Sequence, residues 1–233
     1  MRIVLALLPL FTAFCWSADS TPAPEKGETL VAAADAEKIL ATLPAFKDKR
    51  PLKARIETEI DDMLGKRVDK GELLLDRPSR ILRKFKKSSW LLSGTKLQEY
   101  LIRKNIVYIK DFSKAPNTLR LLQAACTGDF KALGEIFDIA TFKKETDGKI
   151  AYRFVLTRKS GSKLASSLYK RIQARVMEDG LFFHELEYDP DQGDKVVERY
   201  MDITAVEKLT DEDFSLDLPV DVRRDVQIVE TPK

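Results

Sequence analysis

Residues 52–61 constrain the fold of this chain more than any other stretch. Leu52, Ala54, Ile56, Thr58 and Ile60 alternate with Lys53, Arg55, Glu57, Glu59 and Asp61. Neighbouring side chains point to opposite sides only in an extended strand, so this segment has one apolar and one charged face. Such a strand belongs in an antiparallel sheet with one face covered and one wet. The turn Leu64-Gly65-Lys66-Arg67 leads into a strand over 69–77, and a strand over 79–87 follows. After a turn around Ser93-Gly94 come strands over 95–103 and 105–112. No helical pattern separates these segments. Parallel neighbours need a crossover of a dozen residues or more, so the sheet reads as a meander of hairpins.

Helices are few. Leu30, Ala33, Ala34, Ile39, Leu40 and Leu43 predict an amphipathic helix over 30–43, ended by Pro44. The strand series breaks over 116–143. There Leu119, Leu122 and Cys126 share one helical face, and Gly128 and Asp129 supply a stop and a new N-cap. Phe130, Leu133, Ile136 and Phe137 mark a second short helix. Strands return over Lys149–Lys159, with Ile150, Tyr152, Phe154 and Leu156 on one face. Segments 169–178 and 181–189 flank the Glu178-Asp179-Gly180 turn as a hairpin, and Pro190–Asp194 turns into a strand over 195–204. A long sheet must cover its apolar face. Two solutions remain open: a solid core beneath the helices, or a partly open sheet whose helices roof an apolar cavity.

The N-terminus has the layout of a secretory signal: Arg2, an apolar run Ile3–Phe14, then small Ser17 and Ala18 before a polar stretch. The run is short for a membrane anchor. Cleavage after Ser17 is favoured over cleavage after Ala18, which puts bulky Trp16 three positions back. A lipoprotein signal at Cys15 is disfavoured by Phe14 before it. We therefore expect a signal peptide over 1–17, a flexible spacer over 18–29, one domain over 30–225 and a C-terminal tail over 226–233. Removing the signal leaves one cysteine, Cys126, so stability must come from a core rather than disulfides.

Chemistry is sparse. The single histidine, His184, stands beside Glu185 and Glu187 without the companions of a metal site or a triad. Lys159-Ser-Gly-Ser-Lys163 lacks phosphate-loop spacing. We expect no enzyme activity, no metal and no cofactor. Basic and acidic residues number 40 and 37, for a net charge of +3, a balance that argues against nucleic acid as a partner. The run Arg77, Arg80, Arg83, Lys84, Lys86, Lys87 reads either as an anion-binding patch or as a solvated strand face.

The sharpest feature is Gly71-Glu-Leu-Leu-Leu-Asp-Arg77-Pro78-Ser-Arg80-Ile81. Leu73, Leu75 and Arg77 fall on one strand face, and an arginine ending an apolar face needs acceptors. This segment resembles the strand-corner-strand signature of the periplasmic outer-membrane lipoprotein carriers, the LolA-type proteins. The N-terminal helix, Leu92-Ser-Gly94-Thr-Lys-Leu97-Gln-Glu-Tyr100, the mid-chain helices, Leu156-Thr-Arg-Lys159, the Gly180 hairpin, Gly193 and Phe214-Ser-Leu-Asp-Leu-Pro219 follow in that family's order. The resemblance implies an α+β fold: a single curved antiparallel sheet, an incomplete β-barrel, with an N-terminal helix and inserted helices forming a lid over an apolar cavity. It implies carriage of lipoprotein acyl chains, or another lipid, between an inner-membrane release complex and an outer-membrane acceptor in the periplasm. It makes Arg77 a latch to the lid backbone. The cavity lining expected on this scaffold is Leu73, Leu75, Ile81, Phe85, Leu119, Leu122, Cys126, Phe130, Leu133 and Phe137. We expect a monomer. A lipid-sensing regulatory protein on the same scaffold is the alternative. The chain departs from the family at Thr95-Lys96-Leu97-Gln98 and at Arg83, where the carriers often have an aromatic residue.

Overall fold

The computed structural model describes residues 22–62, 65–77, 79–159, 169–190 and 194–230. The expected signal peptide, Pro78, the 160–168 loop and Gly193 lie outside the described residues. Among the described residues, thirteen strands follow one hydrogen-bonded order: β1-β8-β9-β10-β11-β12-β2-β3-β4-β5-β6-β7-β13. They are β1 (Glu28–Leu30), β2 (Leu52–Asp62), β3 (Gly65–Asp76), β4 (Arg80–Phe85), β5 (Ser88–Ser93), β6 (Lys96–Leu101), β7 (Ile106–Lys114), β8 (Phe137–Thr146), β9 (Lys149–Arg158), β10 (Arg171–Met177), β11 (Glu185–Asp189), β12 (Lys195–Ala205) and β13 (Arg223–Glu230). The helices are α1 (Ala33–Thr42), α2 (Pro44–Lys47), α3 (Pro116–Thr127) and α4 (Phe130–Leu133). The α+β class with one large open sheet is as expected. Two hairpin series, β2–β7 and β8–β12, make up the sheet, and β1 and β13 stand at its ends.

The chain divides into two compact units. The first holds Met1–Lys47, Thr58–Val68 and Gly134–Arg199. One face of its strands is aromatic and aliphatic: Phe154 stands opposite Thr141 and Ala174, and Leu156 opposite Ile139 and Ile172. Phe46 of α2 packs edge-on against Phe154 at 5.6 Å between ring centroids and tilts onto Phe183 at 5.7 Å. The other face carries an ion network. The Arg153 side chain, almost fully buried, donates to Glu28 (2.5 Å) and Gln173 (3.0 Å) and stacks on the Phe142 ring at 4.4 Å. Arg175 bridges Glu25 (2.6 Å) and Glu185 (2.5 Å). These bonds hold the segment before α1, so the spacer expected over 18–29 is fixed over its last residues, where Glu28–Leu30 pair with β8.

The second unit holds Asp48–Glu57, Asp69–Leu133 and Tyr200–Lys233. Strands β4 to β7 bury residues on both faces. Leu82, Leu91, Tyr100 and Val107 form a cluster with Leu209, Phe214 and Leu216 of the segment after β12. That segment carries the chain over to β13, which pairs parallel with β7. The sheet is therefore mixed, and the tail expected over 226–233 begins as strand. Hairpin reasoning missed this because the whole of β8–β12 lies between β7 and β13 in the chain, and only the strap after β12 brings the chain back beside β7. In the mid-chain insertion Gly128, at φ 75°, ends α3 with its amide on the Ala124 carbonyl (2.8 Å). Asp129 caps α4 through Oδ1, which accepts from the Ala132 amide at 3.2 Å. The helix ends at Leu133, and Phe137 opens β8. The second helix is thus shorter than its apolar spacing predicted.

Candidate functional site

The candidate site is the face of the second unit that carries Leu75. Register fixes its membership. Leu75 stands opposite Ile81, Ile81 opposite Leu92, and Leu92 opposite Leu97. Side chains directly opposite in an antiparallel pair share a face. Leu73, Leu75, Ile81, Leu92 and Leu97 are all buried, none more than 2% exposed. Gly71 lies opposite Phe85, and a Cβ there would collide with the Lys84 carbonyl oxygen and come within 2.7 Å of the Phe85 ring. Glycine is what allows β4 to close on β3 at this point.

Of the expected lining residues, Leu73, Leu75 and Ile81 meet on this face, with Phe85 half-buried at its end. Leu122, Cys126, Phe130 and Leu133 are buried in α3 and α4 of the same unit, and α3 lies against β7. Leu119 is only half-buried, and Leu121, which the helical spacing passed over, is buried instead. Phe137 belongs to the first unit, on β8, opposite Arg158.

Arg77 follows the last residue of β3, at the end of the Leu73–Leu75 row. Its Nη1 donates to the Asp48 backbone carbonyl at 2.5 Å. Partial burial draws its pKa down to about 10, with the Asp48 charge acting the other way. Asp48 is itself fixed: its carboxylate accepts from the Arg50 guanidinium at 2.6 Å and from the Arg50 amide at 2.9 Å. Those bonds hold its pKa at about 2. The acceptor shown for Arg77 lies in the turn after α2.

A polar rung crosses the same apolar face, and it was not anticipated. Arg83, Trp90, Glu99 and Tyr108 stand directly opposite one another across β4, β5, β6 and β7. Arg83 is buried, lies 5.3 Å from the Trp90 ring centroid and reaches the Tyr200 hydroxyl at 3.4 Å. Glu99 is buried, and its Oε2 has no hydrogen-bond partner among the described residues. Burial pushes its carboxyl up to about 7, against the pull of Lys110, whose own pKa burial lowers. The signal in the sequence was Arg83 two residues after Ile81 and Glu99 two residues after Leu97, each on the apolar face of its strand. Only register reveals that they share a rung.

The basic run does not form a patch. Arg83 turns inward, while Arg80 and Lys84 lie on the opposite face. Arg80 pairs with Asp76 (2.5 Å) and Asp211 (2.6 Å), and Lys84 with Asp217 (2.8 Å). His184 lies in the first unit, just before β11, where burial keeps its pKa low. Its amide donates to the Arg175 carbonyl at 2.9 Å. Among the described residues no cluster of three metal-ligating side chains occurs.

No family model matches the chain, and no curated protein does. Solved structures do. A conserved protein of uncharacterised function from Thermus thermophilus superposes with a TM-score of 0.51 at 10% identity, over 83% of this chain and 99% of that one. The likeness is one of fold. Lower scores are found for a LolA superfamily protein from Nitrosomonas europaea (0.40, 12% identity, 78% of this chain and 98% of that one) and a putative outer membrane lipoprotein-sorting domain from Vibrio parahaemolyticus (0.41, 12%, 77% and 94%).

Proposed function

We propose that this protein is a periplasmic carrier. It holds the acyl chains of lipoproteins, or of another lipid, against the Leu75 face and moves them from the inner to the outer membrane. One observation carries the reading: a buried apolar face runs up to Arg77, and that arginine is latched to a main-chain carbonyl beside an anchored Asp48. Burial of an acyl chain stabilises a complex by about 0.8 kcal/mol per methylene, so a few chains suffice to hold cargo in the water-filled compartment. Release requires the face to close again, and reforming the Arg77–Asp48 bond favours the closed form.

The experiment is to purify the mature chain and its Arg77→Leu variant from an envelope fraction and identify co-purified lipids by mass spectrometry. Transfer to an outer-membrane acceptor is then measured. The carrier reading expects acyl species on both proteins, retained longer and delivered more slowly by the variant. Lipid-free wild-type protein sinks the carrier; lipid-loaded variant that transfers normally sinks the latch alone.

A further inference from the structure

The free edge of the sheet offers an interface that the carrier reading does not use. β13 is the last strand in the order, and among the described residues nothing pairs beyond it. It runs parallel to β7, with Arg223 opposite Ile106 and Val226 opposite Ile109. The Arg223 amide donates to the Asn105 carbonyl at 3.1 Å. In such a ladder alternate residues turn their backbone groups toward the neighbour. Arg223, Asp225 and Gln227 therefore face β7, while the N–H and C=O of Arg224, Val226 and Ile228 point off the edge.

Protein edges are normally blunted by lysine, proline, a bulge or very short length. The opposite edge is so protected, being the three-residue β1. β13 has eight residues, Arg-Arg-Asp-Val-Gln-Ile-Val-Glu, with no lysine and no proline, and its ladder with β7 shifts register between Ile228 and Glu230. Val226 is 60% exposed and Ile228 58%. Its charge is also ordered, with arginines at the start and a glutamate at the end. That order selects a partner. An in-register parallel copy sets arginine against arginine, whereas an antiparallel copy sets arginine against glutamate.

We propose that β13 pairs antiparallel with β13 of a second copy of this chain, about a two-fold axis through Gln227. This register joins outward-pointing residues to outward-pointing residues. Arg224 meets Glu230 of the second copy, Val226 meets its Ile228, and Gln227 meets Gln227. The two-fold repeats each pair, so two Val226 and two Ile228 side chains form one apolar quartet with an ion pair at either end. A two-fold axis passing between residues would set outward backbone groups against inward ones. Axes through Asp225 or Val226 lose the arginine–glutamate match. The contact is a single ladder, smaller than the roughly 1,600 Å² of a standard interface, so the dimer is weak and concentration-dependent. This departs from the monomer that the sequence led us to expect.

Sedimentation velocity over a dilution series of the full mature chain tests the pairing. The expected result is a mass that doubles with concentration. Arg224→Glu and Glu230→Arg should each weaken association by about tenfold or more, because each turns two opposite-charge pairs into like-charge pairs. Mixed in equal amounts, the two variants should associate again, since the mixed dimer pairs Glu with Arg at both ends. A Val226→Lys/Ile228→Lys variant alters only side chains that are exposed in the single chain, so it should stay folded by circular dichroism and remain monomeric. A wild-type chain that is monomeric at every concentration overturns the proposal. So does a dimer untouched by the single reversals, a mixture that fails to associate, or an edge that pairs only with a foreign strand.

Discussion

Replacing Glu99 with glutamine tests the polar rung directly. Glu99 is buried between Trp90 and Tyr108 on its rung, with Arg83 beyond Trp90 and Lys110 on the same face of β7. Burial raises its pKa from 4.5 to about 7. Between those values the folded chain holds a proton that the unfolded chain has released. Stability from this group is therefore complete below pH 4.5 and is lost as pH rises through about 7. At about 1.4 kcal/mol per pH unit, that interval amounts to about 3 kcal/mol. Glutamine keeps the shape and cannot ionise. Urea unfolding of both proteins at pH 4 and pH 8 gives a difference in which the other titrating groups cancel. The variant should match wild type at pH 4 and exceed it by about 3 kcal/mol at pH 8. A difference that is the same at both pH values refutes the argument, because Glu99 would then titrate as it does in the unfolded chain.

Other consequences follow from single contacts. Gly71→Ala should destabilise by about 1–3 kcal/mol through overpacking against Lys84 and Phe85, lowering the melting temperature by several degrees; an unchanged melt contradicts the close approach. Arg153→Met leaves the Glu28 carboxylate buried without its partner and should cost about 3–5 kcal/mol in urea unfolding, while Glu28→Leu/Arg153→Met should recover most of that loss. A double variant as unstable as the single one would place the stabilisation elsewhere. Because Arg77 titrates at about 10 and Asp48 at about 2, lipid retention should be flat from about pH 4 to 8 if this latch governs it; a step near pH 6 would assign release to another group.

Where one face is wet and the other covered, alternation made strands legible. β2 and β9 lie close to where their patterns placed them. Ser88–Ser93 was missed for the opposite reason: Trp90, Leu91 and Leu92 are consecutive and all buried, because both faces of β5 are covered. A strand buried on both sides has no period to read. The turn before it, Lys86-Lys87, carries neither glycine nor proline. Arg77's need for a carbonyl was readable from its place on an apolar face, but its acceptor was not. Asp48 lies 29 residues away, and sequence says nothing about which turn returns to the corner.

The two faces of the second unit's sheet have different fates, and the difference bears on where cargo would sit. The Leu82 cluster is covered by the chain's own strap, beside an open cleft lined by Leu91, Gln98 and Leu218, with Phe214 held under the Arg80 guanidinium at 4.5 Å and Arg80 held in turn by Asp76 and Asp211. A ligand that reaches the Leu82 cluster itself must first displace a covalently attached occupant that packs at high local concentration. The Leu75 face instead includes a buried carboxyl held against desolvation and a neighbouring lysine. Apolar residues in place of buried ionisable groups are often neutral or stabilising, so packing alone gives no reason to keep Glu99 there. A protonated carboxyl on an apolar face can donate to the ester or amide oxygens that join acyl chains to a head group. Glu99→Leu separates these roles. If the rung serves only the fold, lipid binding follows stability; if it serves cargo, the variant gains stability at pH 8 and loses retained lipid in the same preparation.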